Sequence, residues 1–245
     1  MERQGNTLEH LDGPLGDRAT LAGNLRDLQR VNRFLGGTAL SRRAIGALLA
    51  NTGPLPEANL EPDGHLLHLL DIGTGAADIP ISLLTSWRAA RRRLEVTAID
   101  SRPEVIAAAR DRVRSADLRG LHLAVADGLQ LPYDDRTFDV AHASLVLHHL
   151  EPDEAVTLLR EMRRVARLGV VVNDLSRGRL AWLGAWLLVH VATGNAFTRH
   201  DAPLSVRRAY TLAEARALFE RAGLEPIVEI RGFASHRWAI AARSR

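Results

Sequence analysis

The chain of 245 residues contains no cysteine and no lysine. Without cysteine there can be no disulfide, no thiolate zinc site and no cysteine nucleophile. Without lysine every basic residue is an arginine, which never titrates, so the sequence pI lies near 10.3 although the formal net charge is only +3. So small a charge, spread along the chain, gives no footprint for nucleic acid. Runs such as Arg91 to Arg93 read as solvated helix surface. No apolar run reaches the roughly 20 residues that a membrane span needs. The N-terminus is polar, with no leader pattern, and a cytoplasmic location is the expectation. There is no internal repeat, and an apolar content of 46% suits one substantial globular core.

The chain is organised around His65 to Pro80, H-L-L-H-L-L-D-I-G-T-G-A-A-D-I-P. Leu66 to Ile72 has the length of a buried strand. Gly73, Thr74 and Gly75 make a tight turn, and Ala76 to Pro80 start a helix, where proline is tolerated in the first turn. Glycines let backbone approach a ligand, and a helix N-terminus presents unpaired N–H groups, so this is a nucleotide-type pocket. Asp71, at the strand end, can meet an ammonium. Asp78 stands where a dinucleotide fingerprint has its third glycine, and its charge would repel a pyrophosphate.

On either side of that turn the pattern alternates. Met1 to about Arg18 is polar and reads as a loose arm. Leu21, Leu25, Leu28, Val31 and Leu35 recur at helical spacing, and a second helix spans about Thr38 to Ala50. These two form an N-terminal cap over the pocket or pack on the sheet. Residues 51–64 read as a linker, and residues 65–245 as the main domain. Leu94 to Ile99 is a second strand ending on Asp100, about 25 residues past the turn, where a carboxylate can hold ribose hydroxyls. Ser101 to Glu104 reads as a capping box. Leu121 to Ala126 leads into Asp127-Gly128, and Phe138 to Ser144 into Leu145-Val146-Leu147-His148-His149. Arg167 to Asp174 is a fifth strand. Thr211 to Glu214 caps another helix, and Glu225 to Ile230 and His236 to Ala242 form a final antiparallel pair. Strands alternating with helices imply an α/β, doubly wound, mostly parallel seven-stranded sheet with its last strand antiparallel.

D-I-G-T-G-A-A, the acidic Asp100, A-D-G-L-Q-L-P at 126–132 and S-L-V-L-H-H-L at 144–150 together resemble the class I S-adenosylmethionine (SAM) methyltransferases. The S-L-V-L-H-H-L segment resembles the fourth-strand end of small-molecule methyltransferases that act on phenolic, polyketide or quinone-type compounds. The resemblance covers about Leu66 to Ala242, with Ala77 in place of the commonest third glycine. It implies a Rossmann-like methyltransferase fold and SAM as cofactor. Asp71, Gly73, Thr74, Gly75, Asp100, Ser101, Asp127, Gly128 and Ser144 would bind it, with Asp127 meeting the adenine amino group. It also implies a base among His148 and His149, assisted by Asp174, and no metal. A histidine near neutrality suits deprotonation of a phenol.

Residues 176–210 form an insertion before the Thr211 helix. Leu180 to Ala192 is apolar except for His190, with Trp182 and Trp186 one turn apart, and such a helix must be buried or cover something. It reads as a lid over a hydrophobic acceptor, with Trp182, Trp186 and His200 as substrate-binding residues; core packing, a dimer contact or a peripheral membrane contact are the other readings. Asn195 to Tyr210 is polar and could line the same entrance. The expected reaction is methylation of a phenolic hydroxyl by a monomer or homodimer. The alternatives are carbon methylation of a quinol-like ring and a non-catalytic SAM-binding module. A dehydrogenase conflicts with Asp78 and Asp127.

Overall fold

A computed structural model describes residues 1–5, 7, 23, 26, 32, 35–52, 60, 61, 64–116, 118–192 and 196–244. Its seven main strands are β1 (Gly64–Ile72), β2 (Arg93–Asp100), β3 (Leu121–Val125), β4 (Phe138–Ser144), β5 (Ala166–Leu175), β6 (Leu224–Arg231) and β7 (Arg237–Ser244). They lie in the order β3-β2-β1-β4-β5-β7-β6. Neighbours from β3 to β5 are parallel, whereas β7 runs antiparallel to both β5 and β6. Strand order reverses between β1 and β4, and such a switch point opens a crevice at the carboxyl ends of the strands. A two-residue strand, Leu60–Glu61, pairs antiparallel with the start of β1, inside the segment expected to be a linker.

The helices are α1 (Gly37–Asn51), α2 (Asp78–Ala89), α3 (Pro103–Ala116), α4 (Pro152–Val165), α5 (Arg179–Ala192), α6 (Ala196–Arg208) and α7 (Leu212–Arg221). The alternation of β1 divides its side chains between two cores. Leu67 and Leu69 join Leu40, Ile45 and Leu48 of α1 and Leu83 of α2. Leu70 and Ile72 join Leu158 and Met162 of α4 and Phe219 of α7. Burial on both faces explains why β1 is apolar almost throughout, with about 1.5–3 kcal/mol from each buried leucine or isoleucine. The ends of α4 and α7 follow local rules. Glu151 with Glu154, and Thr211 with Glu214, form reciprocal capping boxes, and Gly223 closes α7 at φ 75°.

Two expectations change, at the N-terminal arm and at Ser101. The helix at 21–35 lies largely outside the described residues. Of the N-terminal cap, α1 packs on the sheet through Leu40, Ala44, Ile45 and Leu48, while Asn32 and Leu35 reach the crevice. The N-terminal arm is docked, not loose, over residues 1–5: the Gln4 N–H donates to the Arg207 carbonyl (3.0 Å), and Arg3 reaches the Arg208 carbonyl (2.8 Å). Residues 8–18 lie outside the described residues. No capping box forms at Ser101, because Glu104 is held by the Arg102 guanidinium (2.8 Å) and Asp100 accepts the Arg102 N–H (3.2 Å). The polar stretch after α5 is helical despite Pro203, since α6 buries Leu204 and Val206 and its Ser205 hydroxyl donates to the Asp201 carbonyl (2.9 Å), and it lines the cavity through Asp201 and Val206.

Candidate functional site

The glycine turn is built from left-handed backbone at alternate positions: φ is 67° at Gly73, 54° at Gly75 and 55° at Ala77. Glycine is at ease there, and alanine costs about 1 kcal/mol. Position 73 must also lack a Cβ because one would run into the Val146 side chain. The Thr74 N–H donates to the Ile99 carbonyl (2.9 Å), and the Gly75 N–H donates to Asp100 (3.2 Å), which ties the turn to the end of β2. Burial raises the Asp100 carboxyl above the usual range, against the hydrogen bonds from Arg102 and Gly75. Asp78, first residue of α2, is raised by burial too, with the Asn32 hydrogen bond opposing.

Above the switch point lies a cavity of about 530 Å³. One wall is the turn from Gly73 to Ala76 with Asp71 and Asp78. Another is Ser144, Leu145, His148 and His149 at the end of β4. The roof comes from α5 and α6, through Ala181, Gly184, Leu188, Asp201 and Val206. Among the described residues, the Thr74 and Ser144 hydroxyl oxygens are buried with no hydrogen-bond partner. Orphaned polar atoms of this kind on a cavity wall suit a polar ligand. Leu145 sits at φ 58°, a strained conformation for leucine, at the point where the chain leaves β4.

Two buried histidine–aspartate pairs flank β4. His148 Nδ1 lies 2.6 Å from Asp174 Oδ1, and the His148 backbone N–H donates to Asp174 Oδ2 (3.1 Å). Burial pushes Asp174 up, but the adjacent His148 and three hydrogen bonds outweigh it and hold the carboxyl below the usual range. With Nδ1–H donating to that carboxylate, Nε2 is the basic nitrogen of His148. His149 stacks on His148 at 4.2 Å between ring centroids. The second pair, His142 Nδ1 to Asp71 Oδ1, is also 2.6 Å. Here Nε2 is taken up by the Ser41 hydroxyl of α1 (2.8 Å), which accepts in turn from Asn173 (3.0 Å).

The segment carrying His148 is a single 3-10 turn, Leu147–His149, and it is clamped from outside. Arg208, 3% exposed at the end of α6, donates to the carbonyls of His148 (3.2 Å) and His149 (2.6 Å). The Leu150 carbonyl accepts from Tyr210 (2.8 Å) and Arg3 (2.8 Å). His142, Arg208 and Arg3 are absent from the sequence reading. The only signal for Arg208 was its place in R-R-A-Y within the insertion.

Of the expected site residues, Asp71, Gly73, Thr74, Gly75, Ser144, His148 and His149 come together on the cavity wall, with Asp174 directly behind His148. Asp100 lies next to the turn, through Gly75. Ser101 is exposed. Asp127 is exposed and accepts the Leu129 N–H (2.9 Å), beyond the cavity. Gly128 packs: a Cβ there would lie 2.9 Å from Ile72. The tryptophans are a correction. Among the described residues α5 turns its small and aliphatic side chains, Ala181, Gly184, Ala185 and Leu188, to the cavity. Trp182 and Trp186 fall about 100° further round the helix. Trp186 is 41% exposed and stacks on His190. His200 is exposed too and bonds Asp201 (2.9 Å), which does line the cavity.

Comparison with known proteins fits this geometry. Residues 69–169 match the family described as a methyltransferase domain. The chain is similar to 27-O-demethylrifamycin SV methyltransferase of Amycolatopsis mediterranei (strain S699), with 35% identity over 162 residues. That alignment covers 64% of this chain and 54% of the relative, so the chain spans about half of that protein's length. It is 28% identical over 170 residues to demethylmenaquinone methyltransferase of Bacillus subtilis (strain 168), covering 64% of this chain and 71% of the relative. In fold it resembles a SAM-dependent methyltransferase from Aquifex aeolicus, with a TM-score of 0.61 at 19% identity, over 93% of this chain and 98% of that one.

Proposed function

We propose, from the premise that this chain is a class I SAM-dependent methyltransferase, that it methylates a phenolic hydroxyl of a hydrophobic small molecule. His148 acts as general base and Asp174 orients it. The observation that carries the reading is the 2.6 Å His148–Asp174 pair on the wall of a cavity whose other walls are the glycine turn and the aliphatic face of α5.

The residues present suit the cofactor. The left-handed turn from Gly73 to Gly75 forms one wall of the cavity. Asp71 and Asp78 offer acid to an ammonium, Asp100 offers a carboxylate to vicinal hydroxyls, and Thr74 and Ser144 offer buried hydroxyls. When bound, SAM supplies an electrophilic methyl group and leaves as a neutral thioether. The protein's part is then to align the acceptor, exclude water and remove one proton. A phenol of pKa about 10 is mostly protonated at neutral pH, so a positioned base assists its attack. The Nδ1 bond to Asp174 fixes the ring and stabilises the imidazolium formed when Nε2 takes the proton. The aliphatic side chains of α5 and α6 give the acceptor an apolar wall.

A panel of 1-naphthol, naphthohydroquinone and a non-aromatic alcohol, incubated with isotope-labelled SAM and read by mass spectrometry, tests this. Methyl on a phenolic oxygen supports it. Methyl on a ring carbon favours the quinone-type reaction suggested by the similarity to a demethylmenaquinone methyltransferase. SAM binding without turnover on any acceptor favours a non-catalytic module.

A further inference from the structure

We propose that Arg237 is a carboxylate anchor built into the cavity. Arg237 opens β7 and pairs with Leu175 at the end of β5, so the antiparallel strand begins at the ligand edge of the sheet. Its side chain lines the cavity yet is only 1% exposed. One terminal nitrogen, Nη1, donates to Asn32 Oδ1 (3.0 Å), and the Asn32 amide donates to Asp78 Oδ2 (3.3 Å). The other two nitrogens, Nε and Nη2, have no partner among the described residues. These two form the side-on fork of the guanidinium, whose parallel N–H bonds match the two oxygens of a carboxylate.

Charge and packing agree with this geometry. Burial pushes Arg237 down to about 10, against the pull of Asp174 and Asp78, so it stays cationic at neutral pH. A buried cation without a directly paired counter-ion is costly, and an incoming anion offsets that cost. It is the single arginine among the described lining residues of a chain that has no lysine. Gly37 leaves space for the guanidinium, since a Cβ there would run into Nη1.

Two carboxylates could fill the fork. One is the α-carboxylate of the cofactor, whose ammonium Asp71 or Asp78 would meet; this source rests on the function proposed above. The other is an acidic group on the acceptor. Calorimetry on the wild-type protein separates them with two matched pairs. SAM is compared with decarboxylated SAM. In protein saturated with S-adenosylhomocysteine, 1-hydroxy-2-naphthoate is compared with 1-naphthol. The anchor predicts that the carboxylate-bearing member of one pair binds about 10- to 100-fold tighter, the range of hydrogen bonds to a charged group. The pair that shows the preference names the source. Arg237→Met should erase the preference and spare the carboxylate-free ligand. Arg237→Lys, which keeps the charge and removes the fork, should lose about tenfold of it. No preference in either wild-type pair, or one that survives Arg237→Met, overturns the anchor. The wild-type ratios need no variant to fold. If neither adenosyl ligand binds, the cofactor reading fails, and the naphthoate pair, measured without S-adenosylhomocysteine, still decides the anchor.

Discussion

The two histidine–aspartate pairs differ in where they sit. Both are 2.6 Å long, both are buried, and both use Nδ1 against an aspartate at the carboxyl end of a strand. His142 is closed off: Ser41 and Asn173 continue its network into α1, and the pair stitches the first helix to β1 and β4. His148 lines the cavity on a single 3-10 turn whose carbonyls Arg208 holds in place. The same contact thus occurs once inside the packing of α1 on the sheet and once on the cavity wall, where the proposed function uses it.

Substitution should separate the two roles. His148→Ala should lower turnover about 10²–10⁴-fold, the usual size of general-base assistance, and leave SAM affinity nearly intact. His142→Ala should act chiefly on stability. It strands the buried Asp71 carboxylate and should cost about 3 kcal/mol in denaturant unfolding. Equal stability losses with equal turnover losses would erase the distinction drawn here.

Arg208→Leu comes next. It leaves the His148 and His149 carbonyls without donors and frees the turn, so turnover should fall about 10–100-fold, since small displacements of a catalytic group are costly. A normal turnover number in a folded Arg208→Leu protein would make the clamp irrelevant to catalysis. Asp174→Asn should cost about tenfold if the carboxylate only orients and stabilises the imidazolium.

On the cofactor side, Asp100→Ala should weaken SAM binding by about 1.5–3 kcal/mol. The pH dependence has a definite sign. Asp78 and Asp100 are raised in the folded protein, so they become neutral at a pH above that of an ordinary aspartate. SAM affinity should therefore begin to fall on acidification before ordinary carboxylates titrate. In the unliganded protein these two groups cost stability as pH rises through the window between the ordinary aspartate value and their own. Asp174 has the opposite sign. Its stabilising contribution is present above the ordinary value and is lost as pH falls through its depressed one. Titration calorimetry and unfolding across pH 3–7 or so would read both trends. The smallest effects belong to α5. Gly184→Leu points into open space on the cavity side and should raise the acceptor KM several-fold with SAM binding unchanged, whereas Trp186→Ala should do little.

The glycine-turn wall of the cavity was legible because it is local. Gly73, Gly75 and Ala77 are dictated by backbone angles within one turn, and Asp100 sits at the end of a strand whose apolar run is visible in the sequence. The alternation of strands and helices fixed the parallel sheet, and the short Arg231–Ser235 link foretold the antiparallel final pair. The opposite wall was legible only where it hangs on strand ends, as with His148 and, behind it, Asp174. Arg3 and Arg208 hold the Leu150, His148 and His149 carbonyls from the N-terminal arm and α6, Arg237 lines the cavity from β7, and nothing local marks them in a chain with 32 basic residues. His142 lies in F-D-V-A-H-A-S, a strand buried on both faces, so its partner could be read only with α1 in place. The tryptophans failed on helical phase, which the apolar run around Trp182 left undetermined.

The pH profile of single-turnover methyl transfer, run with wild type, His148→Ala and His142→Ala at saturating SAM and acceptor, tests the central claim most directly. The wild type and a folded His142→Ala protein should show the same rising limb of rate with pH. His148→Ala should lose that limb together with most of its rate. A His148→Ala protein that keeps both the limb and the rate would contradict the assignment of His148 as the base.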